Sequence, residues 1–264
     1  MDKLLLKIRQ LCGVCIALVV WCICMGIFVT DAYAAEPSIT VGGNKLTIDV
    51  YYKDDGTVGT SDDYSYYYTY NTEKYRYDMH LKDAHITGGI TFSDYTYIIL
   101  EGDSTIVGDG TGNGILITYG SLYFYGDGSL TIDNFENGMQ TNSYSIYAYE
   151  GIVNIKNTTN GIYSEASSPT IRSNGCVINI DAQTCINMIG KYAEVNISDG
   201  GEINLTGKEG IKLTGEYSDV YNYGKLNSET TTNKNIKNIF SFIFNLILFN
   251  FLLTILYIIN YLYY

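Results

Sequence analysis

Residues 114–163 read GILITYGSLYFYGDGSLTIDNFENGMQTNSYSIYAYEGIVNIKNTTNGIY, and the stretch repeats itself about every two dozen positions. Written as lines it restarts at Gly114, Gly138 and Gly161, and the same alignment continues at Cys185 and Gly210, with spacings of 24, 23, 24 and 25 residues. The residue that follows is apolar each time: Ile115, Met139, Ile162, Ile186 and Ile211, with Ile90 one period earlier. A second column runs Ile98, Leu122, Ile146, Ile171, Val195, Val220, and a third Ile106, Leu130, Val153, Ile178, Ile203, Leu226. Around each column apolar residues alternate in twos, as in Leu122/Phe124, Ile178/Ile180 and Ile203/Leu205, which is strand periodicity and excludes a helical bundle. Turn residues separate the columns, at Gly102-Asp103, Gly126-Asp127-Gly128, Asn174-Gly175 and Asp199-Gly200-Gly201.

Three short strands per line, each line stacked on the next, predict an all-β chain wound as a parallel β-helix of about six coils over residues 84–232. Stacked strands lie about 4.8 Å apart, so an apolar residue recurring at one period meets its own kind and builds an interior ladder. One coil alone gains too little, because burying an aliphatic side chain stabilises by about 1.5 to 3 kcal/mol while ordering costs about 1 to 2 kcal/mol per residue. Stability is therefore shared between neighbouring coils. Parallel crossovers favour a right-handed winding. Upstream, residues 35–83 hold an alternating run (Ile39, Val41, Leu46, Ile48, Val50), a turn-rich loop, and a Tyr-rich segment from Tyr64 to Tyr77. They read as an N-terminal β cap over the first coil, whose sheet edge would otherwise be open. No equivalent cap is visible after Leu226.

The ends differ from the middle. Lys3, Lys7 and Arg9 precede an uncharged run from Leu11 to Val29, and Ala32-Tyr33-Ala34 supplies the small residues of a cleavage site, so residues 1–34 read as a secretory signal peptide. Four of the six cysteines lie within it, leaving Cys176 and Cys185, which either pair, as an exported location permits, or serve as small buried hydrophobes. Residues 236–264 form a hydrophobic tail, and from Ile239 on it carries no charge. About 20 apolar residues span a bilayer, so it reads as a C-terminal hydrophobic helix anchoring the chain in a membrane. Asn245, Asn250 and Asn260 are costly in hydrocarbon, however, and Lys234 and Lys237 flank the wrong side for the positive-inside rule. The Asn/Lys/Ile/Phe/Leu/Tyr composition from Asn233 on also fits a frameshifted reading of AT-rich DNA.

The chain carries 16 basic and 28 acidic residues, net −12, and without residues 1–34 it keeps 13 and 26. That is the wrong sign for a nucleic-acid partner or for anionic headgroups. With 27 Tyr, 27 Gly and only 2 Pro, it is neither disordered nor collagen-like.

The run HLKDAHITGGITFSDYTYIILEGDSTIVGDGTGNGILI (80–117), followed by GSLYFYGDGSLTID (120–133), resembles the carbohydrate-binding-like or pectate-lyase-like right-handed β-helix modules of secreted surface proteins of Gram-positive bacteria. The resemblance covers roughly Ser38 to Leu226, and implies the fold and an extracellular or cell-surface location more than an activity. Pectin-degrading relatives form its enzymatic branch. Glycoside hydrolysis needs paired carboxylates, which in that branch come with a His-Gly. Here only His80 and His85 are present, and neither precedes Gly. Calcium-dependent lyase chemistry would need a basic residue, and Arg172 is the one arginine in the coils, with Glu150, Asp181 and Glu194 as acidic neighbours. The Asp-Gly pair at Asp109, with those at Asp127 and Asp199, offers possible calcium ligands, although turn formation explains all three. No Ser/His/Asp triad or zinc spacing can be assembled.

The outward face gives the better lead. Beside the second column lie Ile99, Tyr123, Tyr147, Arg172, Asn196 and Tyr221, and two positions on from Tyr123 and Tyr147 lie Tyr125 and Tyr149. Stacking predicts a flat patch of Tyr123, Tyr125, Tyr147 and Tyr149 bordered by Arg172, on which a sugar ring packs while hydroxyls and guanidinium make hydrogen bonds. β-propensity alone also favours Tyr on an exposed sheet. Outward on the third column, Asn154, Asn179, Asn204 and Asn227 predict a structural amide ladder. The expectation is a non-catalytic extracellular module, without cofactor, whose partner is a cell-surface or environmental glycan. A calcium-dependent lyase and a structural fragment of a larger adhesin are the alternatives.

Overall fold

A computed structural model describes residues 38–142, 145–232 and 236–237. The expected signal peptide lies outside these residues, as does the expected tail helix apart from Ile236–Lys237. Among the described residues there is no helix of any kind, and so none long and apolar enough to cross a membrane.

The chain opens with β1 (Ile39–Val41), β2 (Asn44–Lys45), β3 (Val50–Tyr52) and β4 (Tyr66–Asn71), all paired antiparallel. It then winds as a parallel β-solenoid of about six coils. The lower coils have three strands each: β5 (Arg76–Lys82), β6 (His85–Thr87), β7 (Ile90–Phe92); β8 (Thr96–Glu101), β9 (Asp103–Val107), β10 (Asn113–Ile117); β11 (Leu122–Tyr125), β12 (Ser129–Asp133), β13 (Asn137–Thr141). Above them the second and third strands merge: β14 (Ile146–Ala148) with β15 (Ile152–Ser164), β16 (Thr170–Ser173) with β17 (Val177–Met188), β18 (Glu194–Ile197) with β19 (Glu202–Leu213), then β20 (Asp219–Asn222), β21 (Lys225–Thr232) and β22 (Ile236–Lys237). The merged β15 bends at a bulge between Lys156 and Thr158, where Asn157 takes φ 54°. Parallel pairing already includes β5, upstream of the coil start read at Ala84. β1 pairs with β7 and β4 with β5, so two edges of the first coil are occupied.

Most of the expected stacking is present. Leu122, Ile146 and Ile171 are successive partners, as are Ile171, Val195 and Val220. Leu130, Val153, Ile178, Ile203 and Leu226 form the other column. All but Leu226 are buried, in one core running along the solenoid. The lowest step departs from expectation by two residues: Leu122 pairs with Thr96 and Phe124 with Ile98, while Ile132 stacks on Ile106. Turn packing sets this register. Ser129 donates its N–H to the Gly102 carbonyl, and a Cβ at Gly128 would fall 2.4 Å from that oxygen, so Gly102 is level with Gly128 and not with Gly126. A shift of two preserves which side chains face inward, so apolar alternation cannot detect it.

The glycine column has a packing cause. A Cβ on Gly114, Gly138 or Gly161 would lie 2.2 Å from Cγ2 of Ile132, Ile155 or Ile180 in the next coil. One rung further, Leu205 replaces Ile180 in register, and Cys185 stands where the glycines stood. Leucine has no β-branch, so the aisle there admits a side chain. Cys176 and Cys185 are both buried and unpaired, the second of the two readings above. Outside, Asn179 donates to Asn154 Oδ1 (2.8 Å) and Asn204 to Asn179 (2.7 Å), with Asn227 continuing the ladder. A second amide ladder, not foreseen above, runs from Asn113 through Asn137 and Asn160 to Asn187 with bonds of 2.9, 2.9 and 3.1 Å.

Gly138→Ala should cost about 1 to 3 kcal/mol through overpacking against Ile155, lowering Tm by about 2 to 4 °C per kcal/mol. Adding Ile155→Leu should restore part of the loss. Thermal melts check both, and an unchanged Tm in Gly138→Ala contradicts the account.

Candidate functional site

The outer face of the first ladder is built by register. Asp78, Tyr97, Tyr123, Tyr147, Arg172, Asn196 and Tyr221 are successive partners on β5, β8, β11, β14, β16, β18 and β20. Alternation turns their neighbours Ile98, Phe124 and Ile146 inward, leaving the tyrosines outside and partly exposed. Tyr97 and Tyr123 stack with centroids 4.3 Å apart and planes 8° from parallel, and Tyr123 and Tyr147 follow at 5.1 Å and 15°. Beside them Tyr125 and Tyr149 stack at 5.0 Å and 16°. The two columns touch through Tyr97–Tyr125 (5.9 Å) and Tyr147–Tyr149 (6.4 Å). Ile99, expected level with Tyr123, is level with Tyr125, and Tyr97 takes its place.

Two arginines close the longer column. The guanidinium carbon of Arg76 lies 3.9 Å from the Tyr97 ring centre and 5.6 Å from that of Tyr125, and that of Arg172 lies 5.9 Å from Tyr147. The order along the solenoid is thus Arg76, Tyr97, Tyr123, Tyr147, Arg172, with a cation against each terminal π-face. Arg76 is fixed by an ion pair to buried Asp78 (2.8 Å), whose other oxygen accepts from Asn71 Nδ2. Arg172 has a looser partner in Glu194 at 3.9 Å.

This stacking changes what the surface offers. Two rings lying side by side in one plane cannot bring their centres within 4.3 or 5.1 Å, so these rings stand face to face along the solenoid axis. Their faces are spent on one another, and solvent meets edges and hydroxyls. The flat aromatic patch expected from the sequence is instead two short combs of phenols at about the strand spacing of 4.8 Å. Burial first, then the neighbouring Tyr97 and Tyr147, pushes the Tyr123 phenol up to about 12. At neutral pH it is an O–H that both donates and accepts.

The other sequence candidates are dispersed. Arg172 meets Glu194 alone of its three proposed acidic neighbours; Glu150 accepts the Gly126 N–H (3.0 Å), and Asp181 sits on β17 of the other sheet. Asp109 accepts from the Thr111 N–H (3.1 Å) and hydroxyl (2.7 Å), an Asx turn that holds its carboxyl below the usual range. Among the described residues, no three His, Cys, Asp or Glu side chains gather as a metal site. His80 stacks on Tyr67 (4.3 Å, 9°) and contacts Glu101 through Nδ1 (3.0 Å), and His85 contacts Thr105. Tyr97 and Arg76 are the residues sequence reading missed, Tyr97 through the two-residue register shift. No protein-family model, curated protein or solved structure matches the chain.

The half-buried phenols and the buried thiols set an alkaline limit. Tyr67 and Tyr123 ionise near 10.0 when free and near 12 when folded, while burial lifts Cys176 and Cys185 from 9.0 to about 12 and about 11. Each folded value is raised and the folded state disfavours the anion, so this stabilisation is complete below the free value and lost as pH climbs toward the folded one. Denaturant midpoints should fall steadily between pH 9.0 and about 12. A flat profile there contradicts the burial of these groups.

Proposed function

We propose that this chain is an exported surface module that binds neutral or weakly charged glycan along the outer face of the first ladder, without catalysing a reaction and without a cofactor. In this reading it is a right-handed β-helix capped at its N-terminal end by β1–β4, of the kind found in surface proteins of Gram-positive bacteria. Residues 236–264 are a membrane anchor or an out-of-frame end. The observation that carries the reading is the pair of tyrosine combs, Tyr97/Tyr123/Tyr147 and Tyr125/Tyr149, bounded by Arg76 and Arg172. Phenol hydroxyls repeat there once per coil, and an extended glycan repeats its own hydroxyls once per sugar residue. Rigid amphipathic rings lose little entropy on contact, which suits shallow binding along a surface.

Binding to a panel of soluble polysaccharides should weaken by about tenfold or more in Tyr123→Ala and Tyr147→Ala, measured beside the melting curve of each variant. Incubation with calcium and polygalacturonate should produce no unsaturated-uronate absorbance. Rising absorbance, or glycan binding indifferent to both substitutions, overturns this reading.

A further inference from the structure

The longer comb leaves one requirement of sugar recognition unmet, since a pyranose packs its apolar face on an aromatic face and the faces of Tyr97, Tyr123 and Tyr147 are taken by one another and by the two arginines. At the foot of the longer comb lies a groove of about 490 Å³, within the range of small-ligand sites. Tyr70, Tyr75, Tyr95 and Tyr97 line it. Lys74, Arg76 and Asp94 are its charged lining residues. Arg76 belongs to both features, because its guanidinium lies on Tyr97 and also lines the groove.

Tyr75 is the informative residue. It ends the turn between β4 and β5 in the left-handed region, at φ 51°, where glycine or asparagine fits at lower cost than a bulky side chain. The residue is nonetheless 82% exposed, so no packing in the core explains it. The turn itself is well specified: Asn71 Oδ1 accepts the N–H groups of Glu73 (3.2 Å) and Lys74 (3.0 Å). A backbone in a costly conformation thus carries an exposed tyrosine at the lining of the groove, and strain of this kind clusters at ligand clamps. Charge narrows the ligand. Arg76 is paired with Asp78, and the lining places one carboxylate, Asp94, beside one further cation, Lys74, so the charges around the groove balance and give no net positive charge with which to favour an acidic sugar.

We propose that this groove receives the end of a neutral glycan, with a sugar ring lying against Tyr75 and the rest of the chain leading off along the tyrosine combs. It rests on the glycan-binding reading above and adds a subsite to it. The test is Tyr75→Asn, which removes the ring and suits the backbone, so Tm should hold or rise. Titration with defined neutral oligosaccharides and matched uronic-acid oligomers, by calorimetry, should show about tenfold or greater weakening for the neutral ligands in Tyr75→Asn. The uronic-acid oligomers should bind the native chain more weakly than the neutral ones. If Tyr75→Asn binds as the native chain does while Tyr123→Ala and Tyr147→Ala lose affinity, the groove is not a subsite and the comb reading stands. Tighter binding of the uronic-acid oligomers overturns the neutral assignment, and a native chain that binds no glycan overturns both proposals.

Discussion

Backbone pairing between successive coils is the constraint on which every other feature depends. Once Leu122, Ile146 and Ile171 are fixed above one another by parallel hydrogen bonding, each outward residue is also fixed above its counterpart. The interior then separates into columns that must tolerate their vertical neighbours, and the exterior into columns that can interact with theirs. The tyrosine combs, both amide ladders and the glycine aisle are consequences of this one geometry. None needs a loop to fold over a site. A rigid scaffold of this kind presents side chains at a fixed pitch, which suits recognition of something that is itself periodic.

Legibility in the sequence followed the same divide. The period, the inside/outside parity and the Asn154 to Asn227 ladder could all be read, because each depends only on spacing. The register of the lowest step could not, since Ile98 under Leu122 and Ile98 under Phe124 both satisfy alternation. Matching Gly102 to Gly128 would have settled it, and would have brought Tyr97 into the column. The second amide ladder was visible as the Asn-Gly pairs at 113–114, 137–138 and 160–161, although the glycine drew attention away from the residue before it. Arg76 had no signal of its own, because its position over Tyr97 depends on a strand lying upstream of the regular lines. Ring orientation was likewise beyond spacing arguments: the same residues at the same pitch can lie flat or stand stacked.

Electrostatics fits the same picture. The chain is acidic overall, yet its two arginines near the combs have local partners, Asp78 and Glu194, and set their guanidinium carbons 3.9 and 5.9 Å from aromatic ring centres. Cation against π-face is attractive without a compensating anion on the ligand. The surface therefore gains polarity and order without acquiring the net positive charge that would draw in polyanions.

The narrow aisle beside the glycine column has an evolutionary corollary. Solenoids grow and shrink by copying or deleting whole turns, and a copied turn must suit the neighbours it lands between. Here a turn carrying glycine accepts a branched residue above it, whereas one carrying cysteine has leucine in that place. Inheritance across that seam is then coupled in pairs: a transplanted cassette ending in cysteine and set beneath isoleucine would meet a steric mismatch, although each half is ordinary in its native setting. Lineages of this chain should exchange turns most freely among those that share the glycine–isoleucine junction.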